Sequence, residues 1–139
     1  MIKHLACQMD GNRRWAKKNG LPFFEGIRYG ARVIEPIAQL CVDSGIKYLS
    51  LYNFSIENFK RSEAEKNFLF SFMAQELSAI VDDFVKKDVR IRFLGDRSLF
   101  PASVAPICQQ VEDATRNCST LNVSLLFCYG GQQEIAHAT

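Results

Sequence analysis

The sequence contains no hydrophobic run that approaches the roughly 20 residues a membrane-spanning helix needs. Its first residues also lack a basic start followed by an apolar core and a cleavage site, which is the pattern of a secretory leader. The five cysteines form no CxxC pair, and this argues against a zinc site or a disulfide framework. We therefore expect a cytoplasmic protein in which most cysteines are small buried hydrophobic residues.

The sequence has little excess of either charge, with a net charge of +2, but the charges are unevenly distributed. Residues 1–32 hold seven Lys or Arg against two acidic residues, whereas the remainder holds ten against thirteen. A basic N-terminal segment suits a phosphorylated ligand. Nucleic acid is not expected as a partner, because no long basic run, zinc-finger spacing or RNA-binding aromatic motif is present.

Residues 1–139 are expected to form a single domain. Apolar patterns predict strands over 2–8, 47–54, 89–94 and 121–128, and helices over 31–44, 62–87, 101–117 and from 132 onward. Residues 21–30, with turn residues at both ends, are predicted to form a loop that enters a helix. Pro36 should kink the helix over 31–44 or delay its start. This alternation predicts the α/β class, with an open, mostly parallel sheet covered by helices on both faces.

Polar residues are concentrated at 10–14, where the first predicted strand gives way to a helix. Free N–H groups at a helix start favour anions, and the guanidiniums of Arg13 and Arg14 can fork onto phosphate oxygens. Asp10 can hold a hard cation such as Mg²⁺ against the same oxygens. The alternative is a turn with a surface aspartate and two solvated arginines.

A second polar cluster, residues 55–61, directly follows the second predicted strand. The carboxyl ends of parallel strands lie along one edge of a sheet, so this cluster and Asp10 should face the same crevice. Taken alone, the cluster is also typical of an ordinary loop that enters a helix.

Four segments, 4–16, 54–61, 89–96 and 121–131, resemble in their order the motifs of the cis-prenyltransferases, most closely the bacterial undecaprenyl diphosphate synthases. The resemblance implies an enzyme that adds isopentenyl diphosphate to an allylic diphosphate such as farnesyl diphosphate, with Mg²⁺. It also implies a homodimer and a long polyprenyl product that associates with membranes.

The same resemblance assigns roles to individual residues. Asp10 would be catalytic and would position Mg²⁺, and Asn58 would serve the removal of a proton after condensation. The substrate-binding residues would be Gly11, Asn12, Arg13, Arg14, Trp15, Ser55, Glu57 and Arg61. The helix over 62–87 resembles the wall of the family's product tunnel, but its stripe of Leu69, Phe72, Met73, Leu77 and Ile80 is typical of core packing, which we favour.

The chain also departs from the family. Phe23 and Ile27 stand where the family has an arginine and a histidine that contact diphosphate, and neither can donate a hydrogen bond. Gln8 is expected to place a polar group in a buried strand, and Asn53 stands where a small apolar residue usually faces the tunnel. The family's later strands, which carry the isopentenyl diphosphate site, are not in this sequence, so we expect a truncated fold with an exposed sheet edge.

Two alternatives to an active synthase follow from these departures. One is a catalytically inactive fragment or partner subunit that retains only half of the diphosphate site. The other is an unrelated phosphate-binding α/β domain. We expect little or no activity from these 139 residues alone.

Overall fold

The computed structural model describes all 139 residues and contains four β-strands and six α-helices. In chain order they are β1 His4–Gln8, α1 Asn12–Lys18, α2 Phe23–Arg32, α3 Ile34–Asp43, β2 Tyr48–Ser55, α4 Glu63–Lys86, β3 Val89–Leu94, α5 Ala105–Ala114, β4 Leu121–Tyr129 and α6 Gly131–Ala138. The sheet order is β1-β2-β4-β3, and every neighbouring pair is parallel. The predicted α/β class with an open parallel sheet is therefore confirmed.

One face of the sheet forms the hydrophobic core. Alternate residues of the strands are buried there and are covered by α3 and α4, as expected for period-two strands with one packed face: Leu49, Leu51, Val89, Ile91, Phe93, Leu121, Val123, Leu125 and Phe127. The intervening residues on the opposite face are half-buried or exposed. Among the helices, α3 contacts β2 and β4, while α4 and α5 contact β3.

The longest helix, α4, begins where the sequence predicts. The Ser62 hydroxyl accepts a hydrogen bond from the Glu65 N–H at 3.3 Å, and the acidic first turn complements the helix dipole. None of the helices, α4 included, combines the length and the apolarity that crossing a bilayer requires.

The prediction of a loop over residues 21–30 is wrong, because Phe23–Arg32 forms α2. Two glycines of this helix lie directly against α1. A Cβ at Gly26 would overlap the Asn12 carbonyl and crowd Ala16, and one at Gly30 would overlap the Asn12 side chain. The close helix contact that these glycines permit outweighs their poor helix propensity.

The predicted effect of Pro36 is confirmed as a delayed helix start. The helix is interrupted at Val33, and α3 begins at Ile34, which places Pro36 in the first turn of α3. A proline there removes no intrahelical hydrogen bond, because the first N–H groups of a helix have no partner within it.

The two edges of the sheet differ. At β3, the Ile91 N–H donates to Thr115 Oγ1 at 3.0 Å, and the Phe93 N–H donates to Glu112 Oε1 at 2.7 Å. Glu112 of α5 and Thr115, which directly follows α5, thus bond two N–H groups of this edge, whereas β1 pairs only with β2 and leaves its outer edge open. The expectation that Gln8 is buried is wrong, since its side chain lies on the uncovered face of this edge strand and is exposed.

Two irregularities compensate each other near the carboxyl ends of β2 and β4. Tyr52 pairs with Leu126, Phe54 with Phe127 and Ser55 with Tyr129, which leaves Asn53 on one strand and Cys128 on the other without partners. Cys128 adopts a left-handed φ of 53°, and its carbonyl accepts a hydrogen bond from the Asp96 N–H at 3.0 Å. Each strand carries one extra residue, so the register is restored.

The cysteines behave as the sequence predicts. All five are free, and all except the half-buried Cys7 are buried. Burial raises the pKa of the Cys108 and Cys128 thiols to about 12, so both remain protonated at neutral pH. They are therefore packing residues rather than nucleophiles.

Gly95 provides a test of the contact between β3 and β4. Its φ is 153°, and a Cβ there would overlap the Phe127 carbonyl. We expect Gly95→Ala to lower the free energy of unfolding by more than about 3 kcal/mol, or to prevent folding. Gly45 has a φ of 70° but no atom within contact distance of an added Cβ, so Gly45→Ala should cost only about 1–2 kcal/mol. Urea denaturation of both variants measures the difference, and equal losses would contradict the proposed overlap.

Asp88 provides a pH-dependent test. Its carboxylate accepts hydrogen bonds from the side chains and backbone N–H groups of Thr120 and Ser119, and the Thr120 hydroxyl is the main reason that the Asp88 pKa lies below its ordinary 3.8. A depressed pKa stabilises the fold above pH 3.8, and this contribution is lost as the pH falls through the folded-state pKa. Asp88→Asn should therefore unfold at lower urea concentration than the parent at pH 7, with the gap narrowing toward pH 3. A gap that is constant with pH would contradict this account. Asparagine also tolerates the left-handed φ of 56° at this position.

Candidate functional site

A cavity of about 960 Å³ lies between the buried face of the sheet and helices α2, α3 and α4. Eighteen of its 33 lining residues are hydrophobic. Its mouth is at the carboxyl ends of β1 and β2, where Asp10 and Arg61 line it together, as the parallel arrangement predicts. Leu69, Phe72, Met73, Leu77 and Ile80 of α4 all line the cavity, so the core packing that we favoured accounts for only part of this stripe.

The turn after β1 forms one side of the mouth. Gly11 adopts a left-handed φ of 97°, and its N–H donates to Asp10 Oδ1 at 2.6 Å. The Gly11 carbonyl accepts the first α1 hydrogen bond, from the Trp15 N–H at 2.8 Å. Arg14 Nη2 donates to Asp10 Oδ2 at 3.2 Å, and both side chains are largely exposed. Asp10 and Arg14 are therefore accessible to a ligand at the mouth.

Arg13 and Arg14 have different surroundings. Arg13 forms an ion pair with Glu65 at the start of α4, and its guanidinium lies 5.8 Å from the centre of the Phe23 ring. The Glu65 side chain is only 17% exposed, and its second oxygen, Oε2, is buried without a partner. Arg13 thus links α1 to α4 across the mouth, while Arg14 contacts only the exposed Asp10.

The second polar cluster forms a 3₁₀ turn, Ile56–Lys60, rather than a loop of free side chains. Asn58 Oδ1 accepts from the Ser55 N–H at 3.1 Å, and Ser55 Oγ accepts from the Asn58 N–H at 3.3 Å, which forms a reciprocal capping box. Glu57 is exposed.

The candidate residues therefore separate into two groups. Six of the residues that the sequence singles out line the cavity: Asp10, Gly11, Asn12, Arg13, Arg14 and Arg61. Four others, Trp15, Ser55, Glu57 and Asn58, are not among the lining residues. Trp15 is 42% exposed and packs against Tyr29, with ring centroids 4.9 Å apart.

Helix α2 contributes two arginines to the lining, Arg28 and Arg32, and sequence reasoning assigned neither of them to the site. Arg28 pairs with Glu25 at 2.6 Å and lies over the Phe68 ring of α4, while Arg32 lies over Tyr29. The four-residue spacing of Arg28 and Arg32 places both on one face of a helix. It could not be used as long as residues 21–30 were predicted to form a loop. Phe23 and Ile27 also line the cavity, so the wall is apolar where the family resemblance predicts hydrogen-bonding residues.

Away from the mouth, the lining also includes an ion pair between α3 and the end of α4. Lys87 Nζ lies 2.9 Å from Glu35 Oε1, and this hydrogen bond raises the pKa of the lysine above its ordinary value. Both side chains are more than half exposed, so the pair is solvated.

Asp10 can contribute to a magnesium site together with a phosphorylated ligand. No group of three or more His, Cys, Asp or Glu side chains in the chain is arranged to hold a metal. Mg²⁺ is commonly held by one or two carboxylates with phosphate oxygens and water, and an exposed carboxylate beside several arginines fits that donor set.

The chain matches the family model of undecaprenyl diphosphate synthases over residues 8–139. It is 38% identical over 137 residues to the tritrans,polycis-undecaprenyl-diphosphate synthase (geranylgeranyl-diphosphate specific) of Archaeoglobus fulgidus. It is 40% identical over 135 residues to the isoprenyl transferase of Clostridium perfringens. Each match covers 97% of this chain but only 55% and 53% of those relatives, so the chain spans about half of their length.

Solved structures show the same arrangement. A probable undecaprenyl diphosphate synthase from Campylobacter jejuni superposes with a TM-score of 0.82 at 33% identity, covering 99% of this chain and 60% of that one. Lavandulyl diphosphate synthase from Lavandula x intermedia, in complex with dimethylallyl diphosphate, superposes with a TM-score of 0.88 at 30% identity. That match covers 98% of this chain and 58% of the other.

The contrast between the two neighbouring arginines yields a stability prediction. Arg13→Ala leaves the mostly buried Glu65 carboxylate unpaired and should cost about 1–3 kcal/mol. Arg14→Ala removes only an exposed pair and should cost less than about 1 kcal/mol. Urea denaturation of the two variants compares them, and a loss for Arg14→Ala that equals or exceeds the loss for Arg13→Ala would refute the structural role of the Arg13–Glu65 link.

Proposed function

Because the chain belongs to the undecaprenyl diphosphate synthase family, we propose that it acts in cis-prenyl diphosphate synthesis, the condensation of isopentenyl diphosphate with an allylic diphosphate such as farnesyl diphosphate. One observation carries the proposal: a single cavity is lined both by Asp10 with five arginines and by eighteen hydrophobic residues. A prenyl diphosphate has the same division between an anionic head and a hydrocarbon chain.

The mouth supplies the positive charge that a diphosphate head requires. Five arginines line the cavity: Arg13, Arg14, Arg28, Arg32 and Arg61. Arg14 pairs with Asp10, Arg61 follows β2 in the same lining, and guanidiniums bind phosphate oxygens through paired hydrogen bonds. Positive groups fixed at this position also stabilise the charge that develops on a diphosphate as it leaves.

The apolar interior would receive the hydrocarbon. Its walls come from Leu49, Val123 and Leu125 of the sheet and from the apolar stripe of α4. Burial of a prenyl chain against these side chains provides affinity in proportion to the apolar area removed from water. The same walls keep water away from the allylic carbon while its bond to oxygen breaks and the new carbon–carbon bond forms.

In this proposal Asp10 holds Mg²⁺ together with the phosphate oxygens of the substrate. The ion would neutralise charge on the leaving diphosphate when bound. Asn58 and Ser55 would orient the group that accepts the proton, but in this structure each is engaged in the capping box and neither lines the cavity. We also propose that the protein is cytoplasmic and that it forms a homodimer.

A second candidate is a partner subunit or inactive form that binds a diphosphate without turnover. Phe23 and Ile27 favour it, because both place apolar side chains in the lining where the family resemblance predicts donors. Incorporation of labelled isopentenyl diphosphate, with farnesyl diphosphate and Mg²⁺ present, separates the two. Long polyprenyl products support the synthase, and ligand binding without incorporation supports the second candidate.

Binding itself is tested by thermal unfolding with farnesyl diphosphate and Mg²⁺. A ligand at a hundredfold excess over its Kd stabilises the folded state by about 2.7 kcal/mol. We expect such a shift in the parent chain and its loss in Asp10→Ala. Asp113→Ala removes a carboxylate on α5, outside the cavity lining, and should leave the shift unchanged.

Either of two results would count against the proposed site. A shift that persists in Asp10→Ala would show that Asp10 does not contribute to binding. If the parent chain shows no shift at saturating ligand, it has no site for the diphosphate.

A further inference from the structure

Asn53 lines the cavity near the carboxyl end of β2. Along β2 the lining residue Leu49 is followed four positions later by Asn53, a distance of roughly 13 Å along an extended strand. The carbonyl of the preceding residue, Tyr52, accepts a hydrogen bond from the Met9 N–H at 3.1 Å, which places Asn53 beside Met9 and Asp10. The amide is therefore next to the charged mouth, at the end of the apolar wall.

Asn53 is in phase with Leu49 and Leu51 of β2, so the regular alternation of the strand directs it to the buried face, where it lines the cavity. Tyr52 and Phe54 pair with consecutive residues of β4, so Asn53 is the residue without a partner. The extra residue changes the face of the residue after it, because Phe54 is out of phase with Leu49 and Leu51 and is nevertheless buried. Phe54 remains in the core at 1% exposure, while Asn53 is half-buried and lines the cavity.

The backbone does not require asparagine here. Asparagine is favoured where φ is positive, but the non-glycine residues with positive φ are Asp88 and Cys128, and Asn53 is not among them. The bulge on β4 has the left-handed conformation and carries a cysteine. Backbone conformation therefore does not explain the choice of asparagine at position 53.

The Asn53 amide makes no hydrogen bond to another protein group, and neither of its polar atoms is buried without a partner. It is open to the cavity, although the wall on one side of it is apolar. A polar group in such a position needs a partner when a ligand displaces water.

We propose that Asn53 is a specificity-determining residue that donates a hydrogen bond to the oxygen joining the diphosphate to the prenyl chain. The inference rests on the proposed function, because it assumes that a prenyl diphosphate occupies the cavity. It goes further in assigning the boundary between head and chain to one side chain. The amide holds this oxygen at the level of Asp10 and so sets how deeply the chain enters.

The test compares two ligands in the presence of Mg²⁺, farnesyl diphosphate and its thiolo analogue, in which sulfur replaces the linking oxygen. Sulfur is a weak acceptor, so the parent should bind the oxygen compound more tightly by about 3–10-fold. Asn53→Ala should bind farnesyl diphosphate more weakly by a similar factor and should lose the preference for oxygen over sulfur. Isothermal titration calorimetry measures all four dissociation constants.

Matched variants separate this effect from general damage. Asn122→Ala removes an amide from the amino-terminal half of β4, outside the cavity lining, and should keep both affinities. Asn53→Asp keeps the side-chain shape but cannot donate when ionised, and should also lose the preference for oxygen. If Asn53→Ala does not fold, the two ligands are compared with Asn53→Asp instead.

The outcomes distinguish this inference from the proposed function. If the parent binds neither ligand, the proposed function fails and the inference fails with it. If the parent binds both and Asp10→Ala abolishes binding, but Asn53→Ala keeps the oxygen preference, the inference alone is overturned. Equal weakening of both ligands in Asn53→Ala would likewise overturn the assigned hydrogen bond.

Discussion

The close contact between α1 and α2 is the constraint on which the candidate site depends. Gly26 and Gly30 let the backbone of α2 lie against Asn12 and Ala16, where any Cβ would overlap. Because the helices touch there, Ile27 and Arg28 are held at the cavity wall beside the turn that carries Asp10. The wall and the charged mouth are therefore parts of one packed unit.

The mouth uses its charges in two ways. Arg13 is held by the mostly buried Glu65 and links the first turn of the site to the start of α4. Arg14 contacts an exposed carboxylate and stays available to an anion. Two adjacent arginines thus have different roles, because only Arg13 pairs with a carboxylate that is mostly buried.

The strands and α4 could be predicted from the sequence, since periodicity and the Ser62 cap are local signals, and the parallel order of the strands predicted that Asp10 and Arg61 would line one cavity. Helix α2 could not, because its glycines are explained only by the surface of α1 that they meet. The pairing of Arg13 with Glu65 joins residues 52 positions apart. The burial of Phe54 beside Asn53 depends on a single unpaired residue, which leaves no trace in a period-two pattern.

The paired irregularities at Asn53 and Cys128 have a consequence for how this region of the chain can change. If either residue were deleted alone, the last part of one strand would slip by one position, and its side chains would turn to the opposite face. Deletion of both would keep the alignment but would straighten the strand ends. Related sequences that lose or gain a residue at one of these positions should therefore show the same change at the other. This coupling is expected although 74 residues, 54–127, separate the two positions in the chain.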